Sequence, residues 1–367
     1  DIEFLDSVIH FLKGMGYFRF SAPMIPMAMD LFLLSIDKID TSTQDSEDSR
    51  ALRDFNEQKL LKKLRLAALE ALSIIPDSQK DAFIEQYFQC AKSSEIIVLL
   101  EQFLEASDTE ILNNIRSEAL RELVEGDGND GGLDKDQLAV YNAPLDQSVV
   151  VIAGPGSGKT HTLLLRLARL VDEENIPPES ILVIAYNRAV VAELRHRLKE
   201  LFSKLGYRNL INRLKVFTFH GLIKYCIPDI AQGISLNDES DRDECVEYFN
   251  KIASDSPGVI TQRLGNIRHV FVDEFQDIIK PRLEMLKFLA PVDSSYVTVI
   301  GDPDQSIYGY DRLNYDDPIA AEPFFDQFKQ DYDAQSFALN FNYRSYSAIT
   351  DACDQVIQLN QNRIART

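Results

Sequence analysis

The stretch SVVVIAGPGSGKTHTLLLRLARLV, Ser148 to Val171, restricts the fold more than any other part of the chain. Val149 to Ala153 is a continuous apolar, β-branched run, the pattern of a strand buried on both faces of a parallel sheet. Gly154, Gly156 and Gly158 follow, and glycine permits φ > 0 and close backbone approach. Lys159 and Thr160 then open a helix carrying Leu163, Leu164, Leu165, Leu167 and Leu170. The whole is the GxxxxGK[ST] pattern with Ala153 in the first position. In such a loop successive N–H groups and the helix N-terminus cradle phosphates. The candidate nucleotide-binding residues are therefore Gly154, Pro155, Gly156, Ser157, Gly158, Lys159, Thr160 and His161. Lys159 would reach the β- and γ-phosphates, and the Thr160 hydroxyl would bind Mg²⁺.

After this loop, strand and helix patterns alternate. SILVIAY, LKVFTFHG, HVFVDEFQD and YVTVIGDPDQS read as strands, LKVFTFHG with a loop at its end. A helix is expected from Asn187 to about Leu205. Alternation of this kind predicts an α/β fold with a doubly wound parallel sheet. Functional residues then belong at the carboxyl ends of the strands. VFVDEFQD ends in Asp273, Glu274, Gln276 and Asp277. Asp273 is positioned to hold Mg²⁺, and Glu274 to orient and deprotonate an attacking water.

Residues 1–125 read as an all-helical N-terminal region. EQKLLKKLRLAALEALSII places Leu61, Leu64, Ala68, Leu72 and Ile75 at helical spacing, and Pro23, Pro26 and Pro76 break the segments. TSTQDSEDSR, Thr41 to Arg50, reads as an acidic loop. Met15, Met24, Met27 and Met29 read either as core filling or as a peptide-binding face. Residues 126–132, within EGDGNDGG, form the clearest linker.

Net charge is −20, which argues against an overall basic footprint but leaves room for a local one. Arg188, Arg195, His196, Arg197 and Lys199 cluster, either as a solvated helix face or as such a patch. The four scattered cysteines fit reduced thiols, no apolar run approaches the ~20 residues of a membrane span, and the start has no signal-peptide pattern. A cytoplasmic protein without membrane attachment is expected.

The phosphate loop, VDEFQD and VIGDPDQSIYGY together resemble the UvrD/Rep/PcrA-like helicases of superfamily 1. Over about 133–367 further motifs follow in the family's order. LDKDQ resembles the Q motif, which implies that Gln137 reads adenine. ILVIAYNRAVVAELRHRL resembles the next motif, with Tyr186 against a base and Arg188 beside it. TFHG resembles a DNA-backbone motif through Thr218 and His220, and LNFNYRS resembles the motif that opens a second RecA-like domain. The resemblance implies that Gln305 senses the γ-phosphate and that Tyr308 and Tyr310 contact single-stranded DNA. It implies that Tyr343 stacks on adenine and that Arg344 acts as an arginine finger. Each tyrosine taken alone is also compatible with core packing. Implied cofactors are ATP and Mg²⁺, and the implied partner is single-stranded DNA or a tailed duplex.

Departures from the family pattern are His161 after Thr160, Asp311, and Arg188-Ala189 where Asn-Lys is usual. The expected organisation is a first RecA-like domain over 133–335, with a small insertion at about 222–268, and the incomplete start of a second over 336–367. Later family motifs do not occur before Thr367. Residues 1–125, through FLKGMGYFRF and the helical run, resemble the connecting region of long bacterial proteins that join a RecQ-type helicase to a UvrD-like module. The expected function is an ATP-dependent 3′-to-5′ DNA helicase or translocase in repair or recombination. The alternative is a nucleotide-binding regulatory or adaptor module of a larger repair or defence complex, meeting a protein through the acidic helical region. The Gln305 motif and TFHG speak against a P-loop kinase, which needs neither.

Overall fold

The computed structural model describes residues 61–104 (save 63, 67, 70 and 73), 109–125, 132–207, 210–228, 239–306 and 321–357. The chain divides into two units, Asp1–Lys59 and Leu60–Thr367. The described residues belong to the second. The methionine cluster and the acidic loop lie outside them.

Six parallel strands form one sheet in the order β3-β2-β4-β5-β1-β6. They are β1 (Val149–Ala153), β2 (Ile181–Ala185), β3 (Lys215–Thr218), β4 (His269–Val272), β5 (Tyr296–Gly301) and β6 (Gln335–Leu339). Every residue of β1, β2 and β4 is buried, as their unbroken apolar runs require. Successive side chains alternate between the two faces. Val149, Val151, Ile181 and Val183 thus enter one core, and Val150, Ile152, Leu182 and Ile184 the other.

Helices of the N-terminal region share the first core. They are α1 (Asp77–Gln89), α2 (Ser93–Phe103) and α3 (Thr109–Glu125). Phe83, Ile97, Leu100 and Leu120 pack in one cluster with Leu163 and Leu167 of α5 (Lys159–Asp172) and Leu198 and Phe202 of α6 (Arg188–Lys204). Pro76 stands immediately before α1, as its break signal predicts. After α6 the chain turns through Gly206 at φ +77°, where a Cβ would lie 2.2 Å from Ile97 Cγ2. Polar contacts join the same layers. Asp172, at the end of α5, accepts hydrogen bonds from Ser117 Oγ of α3 and from Tyr207 OH, each 2.8 Å. Across the glycine-rich linker, Leu133 N–H donates to Val124 O at 2.8 Å.

The short helix α4 (Lys135–Asn142) precedes β1. Arg166 of α5, fully buried, donates to the carbonyls of Val140, Ala143 and Pro144 at 2.7–3.0 Å. A cation thus satisfies the orphan acceptors at the C-terminus of α4.

The second face carries α7 (Phe219–Cys226), α8 (Glu239–Asp255), α9 (Pro257–Leu264), α10 (Lys280–Leu289) and α11 (Glu322–Asp331). The expected insertion at 222–268 contributes Cys245, Val246, Phe249 and Leu264 to this core. Its described part is therefore a layer on the sheet. The loop expected at the end of LKVFTFHG is instead the first turn of α7. Thr218 is the N-cap, its Oγ1 accepting from Gly221 N–H at 3.0 Å. The last described helix is α12 (Ser347–Ile357).

Candidate active site

β1 ends at the phosphate loop. Gly156 (φ +70°) and Gly158 (φ +78°) are left-handed, and Ser157 Oγ donates to Gly154 O at 2.7 Å. At Gly158 a Cβ would lie 2.4 Å from Gln137 Nε2, and at Gly156 2.6 Å from Arg344 Cβ. Both positions therefore require glycine on steric as well as conformational grounds. Lys159 leads α5, its Nζ 3.5 Å from Ala153 O and 4.0 Å from Glu274 Oε2. His161, one residue beyond Thr160, is exposed.

Opposite the loop, β4 delivers its acids. Asp273 is buried, and its Oδ2 accepts from Thr160 Oγ1 at 3.4 Å. Burial and the neighbouring Glu274 charge push the Asp273 pKa up to about 6, against the pull of Lys159 and the Thr160 hydroxyl. Glu274 is left-handed (φ 53°, ψ 49°), a rare conformation for a side-chain-bearing residue. Its N–H donates to Asp273 Oδ1 at 3.0 Å, and the two carboxylates stand by Thr160 and Lys159 of the loop. An oxygen-rich pair with too little local positive charge suits a hard divalent cation. Thr160 and Asp273 would hold Mg²⁺, and the loop with Lys159 fits the phosphates of ATP.

Gln276 of VDEFQD joins the acids after β4 to the segment after β5. Its Nε2 donates to Glu274 Oε2 at 2.8 Å, and its Oε1 accepts from Asp302 N–H at 3.0 Å. Asp302 Oδ2 in turn accepts from Gln305 Nε2 at 2.7 Å. An unbroken relay thus runs from Glu274 to Gln305. Its spacing depends on Gly301, where a Cβ would lie 2.6 Å from Gln276 Oε1. The side-chain amides at 276 and 305 were legible as polar residues at strand ends; the pairing was not, because it joins two strands.

Residues 340–344 close over the loop. Tyr343 N–H donates to Gly156 O at 2.9 Å, and Asn342 Nδ2 to Pro155 O at 2.8 Å. The Tyr343 hydroxyl donates to Asp134 Oδ2, and Asn340 Nδ2 to Asp136 Oδ2 at 3.1 Å. Gln137, assigned to adenine by resemblance, is buried here: Nε2 donates to Ser157 O at 3.0 Å and Oε1 accepts from Asp134 N–H at 3.2 Å. Two separate sequence motifs, LDKDQ and LNFNYRS, thus converge on the phosphate loop.

The nucleic-acid candidates lie along β2 and β3. Tyr186 is half-buried directly after β2, and Arg188 is exposed at the start of α6. Thr218 is buried in its capping role, and His220 is half-buried in the first turn of α7. Within the basic cluster Arg197 pairs with Glu193 at 2.6 Å, His196 lies 3.5 Å from Glu200, and Arg195 donates to Val216 O at 2.7 Å. Tyr308, Tyr310 and Asp311 lie outside the described residues.

A phosphate loop, paired acids and a polar relay on the carboxyl edge of a doubly wound parallel sheet define a RecA-like P-loop NTPase. Residues 133–240 and 222–316 match the UvrD/REP helicase N-terminal domain family. The chain belongs to that family. It is 24% identical to DNA helicase II of Haemophilus influenzae over 64% of this chain and 41% of the relative. It is 23% identical to the ATP-dependent DNA helicase PcrA of Staphylococcus aureus over 59% of this chain and 38% of the relative. The chain thus spans about two-fifths of the length of these relatives. The Pif1 helicase from Candida albicans aligns over 61% of this chain and 44% of its own, with 17% identity and a TM-score of 0.40.

Proposed function

We propose that this chain is the ATP-binding part of a DNA motor that couples ATP hydrolysis to movement along single-stranded DNA, in the 3′-to-5′ direction that the family resemblance implies. The observation that carries this reading is the relay Glu274–Gln276–Asp302–Gln305, which joins the candidate base to the candidate γ-phosphate sensor. Mg²⁺ on Thr160 and Asp273 would neutralise phosphate charge when bound. Lys159 holds the phosphates, Gln276 orients Glu274, and the Glu274 carboxylate takes a proton from the attacking water. Tyr343 and Arg344, which lie beside Gly156, are the residues proposed for adenine and for transition-state charge. Tyr186, Arg188, Thr218, His220, Tyr308 and Tyr310 are proposed to face DNA, with repair or recombination as the setting. A cytoplasmic location is part of the proposal; among the described residues no helix is long and apolar enough to cross a membrane.

Glu274→Gln tests the assignment. The variant should bind an ATP analogue as the wild type does and lose turnover by ~10²-fold or more, the range typical of a lost general base. Lys159→Ala should instead lose nucleotide binding. Wild-type turnover in Glu274→Gln would remove Glu274 from the role of base.

A further inference from the structure

Arg282 has no part in the chemistry above, yet it sits between the two edges of the site. It is the third residue of α10 and 8% exposed, whereas Lys280 and Glu284 beside it face solvent. Its guanidinium carbon lies 5.5 Å from the centroid of the Tyr186 ring and 6.0 Å from that of Phe219. In the other direction its Nη1 donates to the Asp277 carbonyl at 3.4 Å. Tyr186 follows β2, Phe219 follows β3, and Asp277 closes the turn after β4. One side chain therefore touches the segments leaving three adjacent strands. The first two segments are the nucleic-acid candidates; the third carries Asp273, Glu274 and Gln276.

The chemistry of a guanidinium suits this place. Its plane can face aromatic rings while its edge donates hydrogen bonds, which an ammonium group does less well. The helix beneath it is anchored, because Asn250 Nδ2 of α8 donates to Pro281 O at 2.8 Å. The Arg282 side chain thus links the Tyr186 ring to the Asp277 carbonyl, one residue from the amide that is hydrogen-bonded to Glu274.

We infer that Arg282 is a positioning residue that couples occupancy of the nucleic-acid edge to the geometry of the hydrolytic acids. This rests on the DNA-motor reading above. Coupling between two binding sites is reciprocal, so it can be read without turnover. The experiment measures the affinity of the whole chain for a fluorescent oligo-dT, with and without Mg²⁺ and a non-hydrolysable ATP analogue. In the wild type the analogue should change DNA affinity about fivefold or more, the lower end of common allosteric coupling. In Arg282→Met that ratio should fall to near one, with each separate affinity within about twofold of wild type. Arg282→Lys, which keeps the cation but loses the planar fork, should give an intermediate ratio. A merely structural role would weaken both ligands together and leave the ratio unchanged. If Arg282→Met does not fold, Phe219→Leu removes one ring partner and should lower the ratio. A wild-type ratio in Arg282→Met, or in Phe219→Leu where that stands in, overturns the inference alone, as does a wild-type ratio of one. A wild type that binds nucleotide but no DNA overturns the DNA-motor reading and the inference with it.

Discussion

Asp273 shows how a single residue records the function of its surroundings. Its pKa of about 6 lies above the ordinary aspartate value of 3.8, so the folded state holds the proton more tightly than the unfolded one. Ionising Asp273 therefore destabilises the fold, beginning as pH rises past the unfolded value and complete above the folded one. Asp273→Asn should match wild-type stability near pH 4 and exceed it at pH 8 by on the order of 2 kcal/mol. Chemical denaturation at the two pH values, without metal, measures this, and equal gains at both would refute the electrostatic cause. Gly301 gives a second residue-scale expectation. Gly301→Ala brings a Cβ within 3.0 Å of two backbone nitrogens as well as the Gln276 amide, and should cost about 1–3 kcal/mol by overpacking. Turnover should fall further than stability alone explains, because the same contact sets the relay; calorimetry and a turnover assay on the folded variant separate the two. Lys159, Thr160, Asp273 and Glu274 were legible in the sequence because each falls at a strand end beside a glycine turn or an acidic run. Arg282 was not, since an arginine near the start of an amphipathic helix reads as solvated until its neighbours in space are known.

Among the elements, the helices before the linker hold the clearest lesson. The helical spacing of Leu61, Leu64, Ala68, Leu72 and Ile75 announces a buried face but not what covers it. In the structure that cover includes α5 and α6, the helices that follow the phosphate loop and β2. The composition of 125–132 marks a flexible connection, yet the Leu133–Val124 hydrogen bond returns the chain to the end of α3. The close approach of Gly206 to Ile97 tests this packing. Gly206→Ala forces a left-handed alanine and a clash, and should cost about 1 kcal/mol for the backbone plus 1–3 kcal/mol for the overpacking. Ile97→Ala removes the 2.2 Å contact and leaves Cβ at 3.0 Å, so the double variant should be more stable than the sum of the two single losses. A double-mutant cycle reads the difference, and simple additivity would contradict direct contact between α2 and the turn after α6.

At the largest scale, the parallel sheet of the described residues separates two hydrophobic cores and carries the candidate site residues along its carboxyl edge. The order of strands could be anticipated only as parallel and doubly wound; β5 between β4 and β1 is what brings Asp302 and Gln305 to Gln276. That edge carries the nucleotide residues near β1, β4 and β5 and the nucleic-acid candidates beyond β2 and β3. If it acts as one device, nucleotide chemistry must respond to DNA. ATP turnover by the purified chain, followed across a titration of single-stranded DNA in low salt, measures this directly. A saturable rise in turnover is expected, lost in Lys159→Ala and in Glu274→Gln and weakened steeply by added salt. Turnover indifferent to DNA at every concentration, in protein that binds ATP, would contradict it.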